Sequence, residues 1–133
     1  MIKPFYISQG EDLDFNGQLQ DFSGSPIDLT AIVYQLYIVI HDSYGTIVKK
    51  FASNNGVDIA TWAPITITAA NIGKFRIFLY STETKPLKPG MYYIETRLKD
   101  TQALYGADDG ALDVVEPNVY MFSLEKSVIN NLL

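Results

Sequence analysis

The segment Leu87-Lys88-Pro89-Gly90-Met91-Tyr92-Tyr93-Ile94-Glu95-Thr96-Arg97-Leu98-Lys99 decides the fold class. Successive side chains of a β-strand point to opposite faces, so Tyr92, Ile94, Thr96 and Leu98 share one side while Tyr93, Glu95, Arg97 and Lys99 share the other. One side is built for a core and the other for water. Pro86 and Pro89 bar regular hydrogen-bonded structure before Gly90 and so mark where the strand begins. A tyrosine just past a glycine-bearing corner can return its hydroxyl to the main chain a few residues upstream, so Tyr92 is expected to form a tyrosine corner.

Outward from this strand the same period-two alternation recurs, and helical periodicity is scarce. In Asp12-Leu13-Asp14-Phe15-Asn16-Gly17-Gln18-Leu19-Gln20, Leu13, Phe15 and Leu19 face one way and the polar residues the other. Val33 to His41 is apolar on both sides, with Tyr34, Leu36, Ile38 and Ile40 against Gln35, Tyr37, Val39 and His41. A turn at Asp42-Ser43-Tyr44-Gly45 leads into Thr46 to Phe51, and Asn55-Gly56 predicts a hairpin because both residues tolerate positive φ. Ile65 to Thr68 alternates, Thr68 to Asn71 predicts a helical turn, and Lys74 to Ser81 opposes Phe75, Ile77 and Leu79 to Arg76, Phe78 and Tyr80. After a polar loop at Tyr105 to Gly110, short strands are expected near Ala111 to Val115 and Val119 to Leu124. Short strands at this spacing, separated by Gly, Pro, Asn and Asp, predict an all-β fold of two antiparallel sheets face to face with Greek-key connections.

The chain's 133 residues suit one domain. Charged residues at 19% and aromatics at 13% weigh against disorder. A net charge of −5, without a basic cluster, disfavours nucleic acid and anionic lipid as partners. The longest apolar run, Ile32 to Ile40, is broken by Gln35 and is less than half the roughly 20 residues of a spanning helix. The N-terminal residues lack the apolar core of a secretory signal, so the product is expected to stay where it is made. Cysteine is absent, which removes disulfides, thiol nucleophiles and thiolate metal sites.

Little here points to catalysis. His41 is the single histidine, and its place at the end of an apolar strand suits a surface or hydrogen-bonded imidazole better than a catalytic base. Neither a nucleophile elbow nor a phosphate-cradling glycine loop occurs. Asp12 and Asp14, and further on Asp108, Asp109, Asp113 and Glu116, lack calcium-loop spacing and read as solvated carboxylates. No catalytic residue, metal ligand or cofactor site is therefore expected.

The aromatic residues carry the sharper signal. Tyr37, Val39, Phe78, Tyr80 and Tyr93 are expected on outward faces of central strands, where an isolated monomer favours polar side chains. Either a partner or the chain's own loops and C-terminal arm must cover them. Within Ser127 to Leu133, the residues Val128, Ile129, Leu132 and Leu133 would be exposed on any short helix and would suit docking. A different reading is a carbohydrate-binding module in which Trp62 and nearby tyrosines stack on sugar rings, although Trp62, close to Pro64, could instead plug one end of the core.

The order Gln9-Gly10-Glu11-Asp12, Gly24-Ser25-Pro26-Ile27-Asp28-Leu29-Thr30, a long apolar strand, a glycine-bearing turn, alternating Ile and Thr, Leu87-Lys88-Pro89-Gly90-Met91-Tyr92-Tyr93-Ile94-Glu95 and last Gly106 to Val115 resembles the Ig-like β-sandwich module of phage baseplate upper proteins and related small virion proteins. Within the matching turn, Gly24 and Pro26 shape the reversal, Asp28 can bind backbone donors and Leu29 can anchor the turn to the core. The resemblance implies a single Ig-like sandwich over residues 1–125, with residues 126–133 as an arm or short helix. It implies a non-enzymatic virion component, made in the host cytoplasm and placed on capsid, head, tail or baseplate. Other virion proteins would be its partners, and a homo-oligomer is compatible with this role.

Overall fold

A computed structural model describes residues 5–21, 23–30, 34–53, 62–100, 112–113 and 119–132. Ten strands run β1 (Phe5–Ser8), β2 (Leu13–Gln18), β3 (Tyr34–Asp42), β4 (Ile47–Ala52), β5 (Ala63–Pro64), β6 (Thr66–Ala69), β7 (Lys74–Leu79), β8 (Gly90–Asp100), β9 (Leu112–Asp113) and β10 (Val119–Glu125). Two short helices, α1 (Ser81–Thr84) and α2 (Val128–Leu132), and one 3₁₀ turn at Ala70–Ile72 complete the described elements. The fold is all-β, as the alternation predicts.

The strands form two sheets. The first has the order β1-β10-β8-β3-β4-β5, with β9 pairing β8, and the second has the order β2-β7-β6. Most ladders are antiparallel, but β1 lies parallel to β10 and β5 parallel to β4. Leu13, Phe15, Phe75, Ile77 and Leu79 from the second sheet meet Leu36, Ile38, Ile40, Phe51, Ile94, Leu98, Phe122 and Leu124 from the first in one buried cluster. Burying these side chains supplies the main drive for folding, at about 1.5–3 kcal/mol each.

The faces read from alternation hold. Tyr92, Ile94, Thr96 and Leu98 are buried, and Leu13, Phe15 and Leu19 are buried opposite exposed Asp12, Asp14 and Asn16. The Ile65 to Thr68 alternation is present as β6, Thr66–Ala69 in the second sheet, with buried Ile65 just before it, while Ala63–Pro64 upstream extends the first sheet. One segment differs from expectation. Residues after Leu79 leave the sheet, and Ser81–Thr84 forms α1 where no helix was foreseen. Its first turn is held from a distance by Asp12 Oδ1, which accepts from Ser81 N, and locally by Glu83 Oε1, which accepts from Tyr80 N.

The helical turn expected at Thr68 to Asn71 is present one or two residues later. It ends at Gly73, whose φ of 69° supplies the left-handed cap. The Asn55-Gly56 hairpin and the Tyr105 to Gly110 loop lie outside the described residues, as do Asp108, Asp109 and Glu116.

Candidate functional site

Three described regions concentrate exposed apolar or aromatic side chains or form grooves. The first is the outer face of β7. Strand alternation puts Arg76, Phe78 and Tyr80 in line on it. The rings of Phe78 and Tyr80 are nearly parallel with centroids 5.9 Å apart, and the Arg76 guanidinium stands 4.4 Å above Phe78. Arg76 also binds Asp14 at 2.7 Å through both nitrogens of a bidentate pair across to β2. That pairing holds the Asp14 carboxyl below its ordinary range, the hydrogen bond from Arg76 being the main cause. Tyr80 is 55% exposed and carries the Lys49 ammonium 4.9 Å from its ring centre.

The outer face of the first sheet is more sheltered than the sequence suggests. Tyr37, Val39 and Tyr93 do point away from the core, but all three are half-buried. Tyr37 meets Trp62 edge-on at 5.4 Å, and Tyr93 stacks on His41 at the same separation. Phe78 on the second sheet is likewise half-buried. Of the five aromatic and aliphatic candidates on strand faces, Tyr80 alone is exposed. The reason is that neighbouring outward side chains are large enough to shield one another.

Trp62 does not plug the core. It lies outside the first sheet, edge-on against Tyr37 and with Lys50 Nζ 5.2 Å from its ring centre. His41 sits within 2.7 Å of the Asp42 carbonyl oxygen through Nδ1 and 3.9 Å from Glu95 through Nε2. Among those residues, no cluster of His, Asp or Glu has the makings of a metal site, and no helix is long and apolar enough to cross a membrane.

The second region is α2. Val128, Ile129 and Leu132 are 66%, 71% and 80% exposed. Spacing of i, i+1 and i+4 gathers them on one side of the helix. Leu133 lies outside the described residues. The helix is not a loose arm where it begins, because Gln9 clasps it. The Gln9 amide donates to the Leu87 carbonyl at 2.7 Å, its side-chain oxygen accepts from Ser127 N at 3.3 Å, and its main-chain N–H donates to the Glu125 carbonyl. Gln9 is buried. Beside it, buried Thr84 accepts from Gly10 N and donates to the Glu11 carbonyl.

The third region is a groove of about 470 Å³ between the β3–β4 turn and the segment joining α1 to β8. Its walls include Ile47, Val48, Leu87 and Tyr92, with Asp42, Glu83 and Lys88 at the rim. Sequence reading missed it, because its two walls come from segments some forty residues apart. The walls are fixed by polar contacts. Asp42 Oδ1 accepts from Tyr44 N and Thr46 N, and the Tyr92 hydroxyl donates to the Lys88 carbonyl at 2.6 Å. The tyrosine corner expected at Tyr92 is thus present, with Pro89 and Gly90, at φ 146°, in the reversal it spans.

The Gly24-to-Thr30 turn also has the anticipated geometry. Gly24 has φ 89°, Pro26 bridges to Gln20, Asp28 accepts from the Thr30 N–H and hydroxyl, and Leu29 is buried. These bonds hold the Asp28 carboxyl below its ordinary range, the Thr30 hydroxyl being the first cause. All these roles are structural. No protein-family model matches this chain, and no curated protein sequence matches it.

Proposed function

We propose that this chain is a non-enzymatic assembly module, an Ig-like β-sandwich with Greek-key connections that serves as a structural protein of a tailed-phage particle. The observation carrying the reading is α2, a short helix clasped to the domain at its start, with three large aliphatic side chains turned to solvent. A helix of five residues has little stability of its own, so a solvent-facing apolar side is best accounted for by a partner that covers it. Tyr80 and the rings beside it offer a second contact patch.

The strand order supports the Ig-like part. One sheet runs β10-β8-β3-β4 and the other β2-β7-β6, the order of a variable-type Ig sandwich in which β8 takes the place of the strand that begins at the tyrosine corner. Tyr92 lies near the start of β8, after the crossing from β7. The resemblance in the Gly24-to-Thr30 and Pro89-to-Glu95 segments supports the virion part, with head or baseplate as the site and other virion proteins as partners.

Mass spectrometry and electron microscopy of purified particles test this reading. The expected result is the chain at a fixed copy number, with α2 buried against a neighbouring subunit. Particles that lack the chain, or carry it with α2 still in solvent, overturn the proposal.

A further inference from the structure

We infer that the groove beside Tyr92 receives α2 of a second copy of this chain, in a two-fold dimer where each copy inserts its helix into the other's groove. The inference deepens the assembly reading by naming a partner for α2.

The first argument is placement. Helix and groove lie at the same end of the molecule, linked by one side chain: Gln9 binds Ser127 N, just before α2, and the carbonyl of Leu87, a groove residue. Two copies facing each other at this end can therefore make both insertions at once. A single short helix buries far less than the ~800 Å² per partner typical of stable dimers, and reciprocity doubles the contact.

The second argument is chemical match. The groove offers Ile47, Val48, Leu87 and Tyr92 to the aliphatic side of α2. Ile47 is itself 54% exposed, so the groove presents one open aliphatic side chain to α2, with half-buried Val48 and Leu87 behind it and polar groups around them. A neighbouring depression of about 230 Å³ shares Asp42, Lys88 and Tyr92 with the groove and lengthens it. The third argument is charge. The segment entering α2 presents Glu125 then Lys126, both exposed, and the rim presents Lys88 and Asp42, so each charge has an opposite number. Glu83, the remaining rim charge, is neutralised by Lys49 within its own chain. The groove is also preorganised, because its walls are braced by the Lys49–Glu83 pair and the Tyr92–Lys88 bond.

Sedimentation velocity on the purified chain tests the dimer. The wild type is expected to associate reversibly and to stop at two copies. A hook variant, Ile129→Asp with Leu132→Asp, and a groove variant, Ile47→Glu, are each expected to associate at least ~10-fold more weakly. Mixing them restores one of the two insertions, so the mixture should associate more tightly than either variant alone. Lys126→Glu, a charge reversal outside regular structure, should weaken the dimer several-fold without altering the circular dichroism spectrum. A monomeric wild type, growth past the dimer, variants that dimerise like wild type, or a mixture no tighter than its components each overturn the inference. The assembly reading is judged separately, on the chain's presence in particles.

Discussion

Lys49 Nζ lies 2.7 Å from Glu83 Oε1 and 3.2 Å from the Phe78 carbonyl oxygen, so a side chain from one sheet closes the open edge of the other. The ladder between β6 and β7 ends at Arg76, and beyond it no described strand flanks β7 on that side. An exposed strand edge invites pairing with other chains. Here the Phe78 carbonyl takes the ammonium and the Tyr80 N–H takes the Glu83 carboxylate, which blunts the edge without another strand.

Lys49→Met should therefore lower unfolding stability by about 1–2 kcal/mol in urea titrations, because it leaves both the Phe78 carbonyl and the half-buried Glu83 without their cation. Glu83→Gln should cost less, since an amide oxygen still accepts from Tyr80 N. Equal losses in the two variants would show that charge alone matters at this edge.

Tyr92→Phe keeps the ring stacked 5.4 Å from Phe122 but removes the hydroxyl that binds the Lys88 carbonyl. A loss of about 1–1.5 kcal/mol is expected, seen as a melting temperature lowered by several degrees. An unchanged melting temperature would mean that the corner is set by Pro89 and packing alone.

The Tyr120 hydroxyl, pushed up to about 12 by burial between the sheets, makes stability fall in strong alkali. The folded value lies above the ordinary value of 10.0, so the folded state prefers the neutral phenol. Its contribution is complete below pH 10 and disappears as pH rises toward 12. Tyr92 shifts in the same direction, chiefly through burial. Tyr120→Phe should flatten the alkaline limb of a stability-against-pH curve measured by circular dichroism, while leaving neutral-pH stability close to wild type.

Gly73→Ala should destabilise far more than Gly45→Ala. Both residues have positive φ, 69° and 82°, so each substitution carries about 1 kcal/mol of backbone strain. At Gly73 a Cβ would also stand 2.7 Å from the Ile27 carbonyl oxygen, whereas at Gly45 it meets open space. Comparing chemical-denaturation midpoints of the two variants checks this, and equal midpoints would remove the steric part of the argument.

The legibility of the candidate surfaces followed the range of the contacts involved. The exposure of Val128, Ile129 and Leu132 could be anticipated, because a short amphipathic stretch after the last strand has little to pack against. For Tyr37 and Tyr93 the sequence left open whether a partner or the chain itself covers them, and the shelter comes from Trp62, twenty-five residues onward from Tyr37, and from His41, fifty-two residues before Tyr93. The groove beside Tyr92 and the Gln9 clasp were invisible for the same reason: neither is encoded in any one segment.

Alternation by itself determined the all-β class, the inward faces of β2, β7 and β8, and the corner at Tyr92, because strand pleating and turn stereochemistry act over only a few neighbouring residues. Tertiary structure decided the rest: the split of Ala63 to Ala69 between two sheets, the docking of α1 on Asp12, and the pairing of Lys49 with the edge of β7. Those outcomes depend on which distant groups the closing core brings within hydrogen-bonding reach, and local periodicity carries no record of that distance.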